Sequence, residues 1–435
     1  MQFRSTKSHE SPVSFKEAVL RCLPPDGGLY VPASVMDMRQ YFLYMDTETS
    51  YPELVATVAP GLLQGELNPF SASMVAESAF DFEPELRQLD ETFSLLTLYN
   101  GPTGVFKDFG IAFLAAVMEE LLKNNGPAMI VSATRGDTGV SIANAFHKRQ
   151  NITSVILYPS GSAIQGLDPA SYVPNGGNII PIQIEGSFDE CQKLVKEIIR
   201  DRPYADRYGI TSVNAINVGR LLPQSFYFLH AFVKLKKYLN GDLLFSVPSG
   251  NFGNLIAGLY AWKFGMPVNG FIAAMNANNA IGDFIRGRQF IPRPVKSTNS
   301  PALDVAQPSN YERLASFYDE APAVMRNMVF PAAVDNDDTV KALERFWKRY
   351  GIILDPHGAV AYAAAERVLS GFDPGSHVVI LATGHPAKKA VTVTEATGQT
   401  VEIPRRLALL REKADPLAVI KPNLDALETA IVSCF

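Results

Sequence analysis

Residues 242–265, DLLFSVPSGNFGNLIAGLYAWKFG, decide the fold. A short apolar run ends at a proline, a turn of serine, glycine and asparagine follows, and an apolar helical pattern begins at once. Such a run, bounded by turn residues and joined to a helix, reads as a strand buried on both faces of a parallel sheet. Ligands of these sheets bind beyond the carboxyl ends of the strands, where loops lead into helix N-termini. The loop Ser249, Gly250, Asn251, Phe252, Gly253 and Asn254 lies at that point. Its glycines let backbone approach an anion, and unpaired amides with the helix dipole supply positive character. It is neither GxxxxGK[ST] nor GxGxxG, so ATP and dinucleotides lose their usual fingerprints. An ordinary glycine turn is the competing reading.

The same grammar recurs in AMIVSAT (128–134) before RGDTG, SVILYPS (154–160), NIIPIQI (178–184) before a helical SFDECQKLVKEIIR, VNGFIAAMNANN (268–279) and HVVILATGHPAKKA (377–390). The expected class is α/β with two parallel-sheet lobes. Residues 101–160 are read as a small lobe and 161–390 as a larger one. A segment rich in Pro, Arg, Ser and Asn, 284–325, is inserted in the larger lobe as a long loop or lid. Residues 1–100 form an accessory region, and 391–435 a charged helical tail.

Composition narrows the partners. The 435 residues are 47% hydrophobic and 19% charged, with a formal net charge of -5, and no basic run is present. That balance argues against nucleic acid and for a small-molecule partner. No run of eighteen apolar residues occurs and the N-terminus has no apolar leader core, so no membrane span is expected and the cytoplasm is the expected compartment. Cys22, Cys191 and Cys434 and the six histidines are dispersed, without metal-ligand spacing, so no metal is expected. A monomer or homodimer is expected.

In GPTGVFKDFG (101–110), Lys107 sits between Phe106 and Phe109, beside Asp108. A lysine in apolar surroundings loses hydration, which lowers its pKa and frees a neutral amine, so Lys107 is a candidate Schiff-base nucleophile. A snorkelling lysine at the start of the helix expected over 111–123 is the alternative. Thr134, Arg135, Gly136, Asp137 and Thr138 form a second strand-to-helix loop whose hydroxyls, amides and guanidinium can hold a carboxylate, or whose Asp137 or Thr138 caps the next helix. Thr383 ends a third strand, presenting a hydroxyl or satisfying a buried carbonyl. His357 and His385 are read as structural histidines, and Asp108 and Asp355 as caps.

Taken in order, VSFKEAVLRCLPPDGGLYVP (13–32), GPTGVFKDFG, GDTG (136–139), VPSGNFGN (247–254), LDPHGAVAY (354–362) and ATGHPAKK (382–389) resemble the threonine synthase family, pyridoxal-phosphate enzymes of fold type II with tryptophan synthase β-like lobes. The resemblance implies that Lys107 carries pyridoxal 5'-phosphate through a Schiff base. By the same resemblance Phe106, Asp137, Ser249 and Thr383 lie around the cofactor, and Gly250, Asn251, Phe252, Gly253 and Asn254 hold its phosphate. Thr134, Arg135, Gly136 and Thr138, with Asn214, Asn217 and Arg220 of NAINVGRLLPQ (214–224), are expected on the substrate side. The implied reaction converts O-phosphohomoserine and water to threonine and phosphate, Lys107 acting as base. The chain departs from the family at Arg135, where a serine is usual, at Asn100, where a histidine is usual, and at Ser160 and Ser162 of YPSGSAIQGLDPASYVP, where basic residues are usual. These departures leave open a relative that performs β- or γ-replacement or elimination on another amino acid.

Overall fold

A computed structural model describes residues 1–8, 11–161, 167, 169–411 and 415–433; Ser162 and Cys434 lie outside them. Near the N-terminus, β1 (Gln2–Ser5), β2 (Val13–Ser14) and β3 (Tyr30–Pro32) form a small antiparallel sheet. The remaining strands are β4 (Glu85–Gln88), β5 (Phe93–Thr97), β6 (Ala128–Ala133), β7 (Ile152–Pro159), β8 (Ile179–Ile184), β9 (Ile210–Thr211), β10 (Leu243–Pro248), β11 (Gly270–Met275), β12 (Val329–Ala333), β13 (His377–Ala382) and β14 (Ala418–Ile420). A six-stranded sheet runs β12-β11-β10-β13-β5-β4, parallel except for β4. A five-stranded sheet runs β14-β8-β7-β6-β9 and is parallel throughout.

Every residue of β6, β10, β11 and β13 is buried. Helices cover both faces of these strands, which is why their sequences run apolar without alternation. The helix Lys107–Leu122 buries 12 of its 16 residues. At Gly110 a Cβ would stand 2.3 Å from the carbonyl oxygen of Arg220, so only glycine admits that close backbone approach.

The sheets do not divide where the sequence suggested. β8 lies beyond residue 160 yet pairs with β7, because its register from Ser154↔Ile179 to Pro159↔Ile184 continues the smaller sheet. β5 lies within the first hundred residues yet pairs with β13 in the larger one. The tail is not wholly helical, since Ala418–Ile420 pairs in parallel with β8. The segment 284–325 is not one loop: it contains the helix Tyr311–Glu320. That helix is anchored by Arg313, which is fully buried and donates to the carbonyls of Tyr30 (3.0 Å), Ala215 (3.1 Å) and Ile216 (2.6 Å) and to Asn310 Oδ1 (2.6 Å). Among the described residues no helix is long and apolar enough to cross a membrane, and no group of three His, Cys, Asp or Glu could hold a metal. Cys22 and Cys191 are buried and free.

Candidate active site

Three loops meet at the carboxyl edge of the six-stranded sheet, because β10, β13 and β5 are parallel neighbours. The loop after β5 carries Lys107, the loop after β13 begins with Thr383, and the loop after β10 is Ser249–Asn254. The first two are stitched together by the Phe106 amide donating to the Thr383 carbonyl (3.0 Å) and by a bridge between Val105 and Gly384. The loop after β6, from the other sheet, brings Asp137 against Lys107.

Lys107 is the first residue of its helix, and its side chain is 18% exposed. Its Nζ lies 3.5 Å from Asp137 Oδ2. Burial holds the amine below the ordinary lysine value; Arg220 and Lys388 push it the same way, and Asp137 opposes them. Asp137 is half-buried, its side chain 36% exposed, and the loss of water disfavours its charge, but Lys107 and Lys388 together keep its carboxyl well below the usual range. Lys388 donates to Asp137 Oδ1 (2.9 Å) and to the Thr103 carbonyl (3.0 Å). The site therefore holds a carboxylate between two amines.

Asp108 does not cap the helix. It accepts from the Thr103 amide (2.8 Å) and from Thr103 Oγ1 (2.5 Å), and so pins the turn before Lys107. Asp137 does not cap the next helix either, since its carboxylate faces the two lysines. Thr134 serves that turn instead, its hydroxyl accepting from the amides of Gly136 (2.9 Å) and Gly139 (2.8 Å) and donating to the Gly136 carbonyl (3.1 Å). That engagement leaves Thr134 no hydroxyl proton for a substrate. Gly136, at φ 141°, takes a backbone shape reserved for glycine. Thr138 is half-buried on the first turn of the helix Asp137–Phe146.

Around Ser249–Asn254 the geometry is that of an anion cradle. Among the described residues, the backbone amides of Gly250, Asn251, Phe252, Gly253 and Asn254 have no acceptor. Phe252 adopts a left-handed φ of 61° directly before the helix Gly253–Lys263, a conformation costly for a bulky side chain. Asn254 Oδ1 accepts from Tyr227 Oη (2.6 Å), while its buried Nδ2 has no partner among the described residues. Asn251 Oδ1 accepts from the amide (3.1 Å) and hydroxyl (3.2 Å) of Ser309. Ser249 Oγ donates to the Val247 carbonyl (2.8 Å), so its hydroxyl proton belongs to the scaffold. The hydroxyl of buried Thr383 has no hydrogen-bond partner among the described residues, so it does not satisfy a buried carbonyl.

The other expected substrate residues divide. Asn217 gives both amide hydrogens to the carbonyls of Val19 (2.9 Å) and Ser212 (2.8 Å) and accepts from the Gly219 amide (2.9 Å). No donor remains for a substrate carboxylate, so Asn217 shapes the loop rather than binding. Asn214 extends the edge of β6, bonding both the amide and the carbonyl of Ala133 (2.9 and 2.7 Å), and keeps one N–H free. Arg220 is buried; its Nη1 donates to the Val213 carbonyl (2.8 Å), its Nε has no partner among the described residues, and burial pushes its guanidinium down to about 10 against the pull of Asp108. Arg135 is exposed, its guanidinium 4.5 Å above the ring of Phe188, with no carboxylate partner among the described residues. Asp355 caps the helix Pro356–Leu369 and holds His357 Nδ1 at 2.5 Å, while His357 Nε2 accepts from the Ala302 amide (3.2 Å).

Sequence reasoning missed Lys388, Tyr227 and Thr103. The lysine stands five residues beyond Thr383 on a turn that leaves the same sheet edge, which could have flagged it. Nothing local marked Tyr227, which is buried in the helix Ser225–Leu235.

A lysine beside a shared carboxylate and a run of free amides at the carboxyl edge of a parallel sheet suit a phosphorylated aldehyde cofactor. Residues 86–384 match the family described as pyridoxal-phosphate dependent enzyme. Residues 2–79 match the threonine synthase N terminus, and residues 358–431 the threonine synthase C-terminal region. The chain is 35% identical to threonine synthase of Escherichia coli (strain K12) over 426 residues, covering 98% of this chain and 97% of that protein. The crystal structure of the Escherichia coli threonine synthase superposes with a TM-score of 0.89 at 33% identity, covering all of both chains. A pyridoxal-phosphate-bound threonine synthase from Brucella melitensis gives a TM-score of 0.87 at 29% identity over 100% of this chain and 99% of that one. This chain belongs to the threonine synthase family.

The residues present fit the cofactor. Five free amides match a phosphate, the Lys107 amine matches an aldehyde, and the unpartnered donors Asn254 Nδ2 and Thr383 Oγ1 await acceptors.

Proposed function

We propose that the protein converts O-phosphohomoserine and water to threonine and phosphate, with pyridoxal 5'-phosphate held at Lys107. The observation that carries this reading is the Lys107 amine, depressed below its ordinary pKa beside Asp137, on the same sheet edge as the free amides of Gly250–Asn254. When bound, the cofactor supplies an electron sink for the substrate's Cα that no side chain provides. Lys107, released by the incoming substrate amine, is the base that takes the Cα proton. The ammonium it becomes has Asp137 within 3.5 Å, so the charge is balanced without outside water. The same amine takes a proton from Cβ as phosphate leaves Cγ and returns one to Cγ; the hydroxyl of water then adds at Cβ, a proton goes back to Cα, and the remaining proton leaves with the phosphate. Thr383 donates or accepts without carrying a charge, so it adds no negative charge at the cofactor's ring. Arg135, with no carboxylate partner among the described residues, is the cation we assign to the substrate's phosphate, and Arg220 and Asn214 border the substrate's amino-acid end. The same reading places this small-molecule enzyme in the cytoplasm, as a monomer or homodimer.

The test is direct. The purified protein with pyridoxal phosphate should release equimolar phosphate and threonine from O-phosphohomoserine, and Lys107→Ala should abolish both the visible absorption and the borohydride-trapped adduct. Formation of 2-oxobutanoate and ammonia in place of threonine, or an adduct on another lysine, would overturn the reading.

A further inference from the structure

Lys388 has no part in the steps above, yet it makes the shorter of the two lysine contacts to Asp137, 2.9 Å to Oδ1 against 3.5 Å from Lys107 to Oδ2. Its second bond, 3.0 Å to the Thr103 carbonyl, fixes it to the turn that Asp108 pins just before Lys107. One ammonium thus grips the Asp137 carboxylate by one oxygen and the Lys107 loop by its backbone. Lys107 Nζ stands 3.5 Å from the other oxygen, Oδ2, longer than an ordinary hydrogen bond. We propose that Lys388 is a positioning residue: by holding one oxygen of Asp137 it keeps that carboxylate from pairing fully with Lys107, and so leaves the Lys107 amine free to attack an aldehyde.

The charged groups acting on the pair are few. Arg220 and Lys388 act on Lys107 with the same sign, Asp137 with the opposite one, and His357 adds to the field at Asp137. Asp108, next to Lys107, is buried and raised toward its neutral form, with its bonds from Thr103 and Ser141 resisting. Without the Lys388 ammonium, Asp137 would turn wholly to Lys107, and a repelling cation would be gone as well. Both changes favour the protonated, unreactive lysine. Lys388 acts here on Lys107 in the cofactor-free chain, whichever amino acid the enzyme converts.

The experiment is reductive methylation of the full-length, cofactor-free protein with formaldehyde and cyanoborohydride, followed across pH by mass spectrometry of the Lys107 peptide. Lys388→Met should slow modification of Lys107 at neutral pH roughly tenfold, the scale set by one nearby unit charge, and move the midpoint of its pH profile upward. Lys388→Arg should restore the original profile. Lys389→Met, which removes an adjacent lysine that makes no ion pair with Asp137, should leave it unchanged. If Lys388→Met fails to fold, Lys388→Gln provides the same comparison. An unmoved midpoint in a folded variant, failure of arginine to restore it, or an equal shift from Lys389→Met would each refute the proposal.

Discussion

Gly250 offers the sharpest quantitative test of the anion cradle. A Cβ at this position would lie 2.7 Å from the Ala302 carbonyl oxygen and 2.8 Å from Leu303 Cα, both backbone atoms. Ordinary contact begins at 3.4 Å, so the two segments must part by 3.4 − 2.7 = 0.7 Å. The facing segment resists movement. The Ala302 amide donates to His357, Leu303 is bonded to the Ser300 carbonyl, and Asp304 receives bonds from Asn276, Asn278 and Thr298. The displacement therefore falls on the loop and misaims its free amides. Amide bonds to a charged group are worth about 1.5–3 kcal/mol each. Weakening one or two of them by half should cost about 1–3 kcal/mol, or a roughly 5- to 150-fold weaker cofactor. Gly253→Ala is the control, because its Cβ would meet only Asn310 Nδ2 at 3.4 Å and Ala215 Cβ at 3.8 Å. Fluorescence titration of the cofactor-free proteins with pyridoxal phosphate measures both affinities. Equal affinities for Gly250→Ala and Gly253→Ala would refute the assignment of this loop to the phosphate.

Three further outcomes are expected. Thr134→Val strips the acceptor from the buried Gly139 amide and from Gly136, and should lower stability by about 1–2 kcal/mol in urea unfolding. His230 is buried beside Tyr51 with an unpartnered Nδ1, and burial, aided by Lys234, pushes its imidazole down to about 4 from 6.5. The unfolded chain therefore binds the extra proton between those values, so stability falls as pH falls through that window. About 2 kcal/mol should be lost from pH 7 to pH 5, and His230→Phe should flatten that limb. Arg135→Ser, at an exposed position, should raise KM for O-phosphohomoserine about tenfold or more, leave kcat within a few-fold, and leave the melting temperature unchanged; an unchanged KM would remove Arg135 from the substrate site.

Strand-to-helix loops could be read from sequence because a strand buried on both faces must be apolar throughout, and its loop must then change composition abruptly. That made Gly250–Asn254, Gly136–Thr138 and Thr383 visible before any coordinates. What sequence could not provide was pairing between distant strands: β5 joins β13, and β14 joins β8, through registers that no local pattern encodes. Side-chain allegiance was equally hidden. Asn217 and Thr134 have the right chemistry for a substrate, but backbone groups take up their donors. Nothing in its own stretch of sequence set Lys388 apart; the fold brings it against Asp137.

The late arrival of β14 has a consequence for biosynthesis. Until Ala418–Ile420 leaves the ribosome, the free side of β8 has no partner on the nascent chain, and β5 likewise waits for His377–Ala382. Neither sheet can close progressively behind the translating ribosome, so each keeps one strand side unpaired until a partner far along the chain emerges. A chain cut short before residue 418 would leave that side of β8 without its partner, so Ala418–Ile420 completes a sheet whose other strands all lie far earlier in the chain.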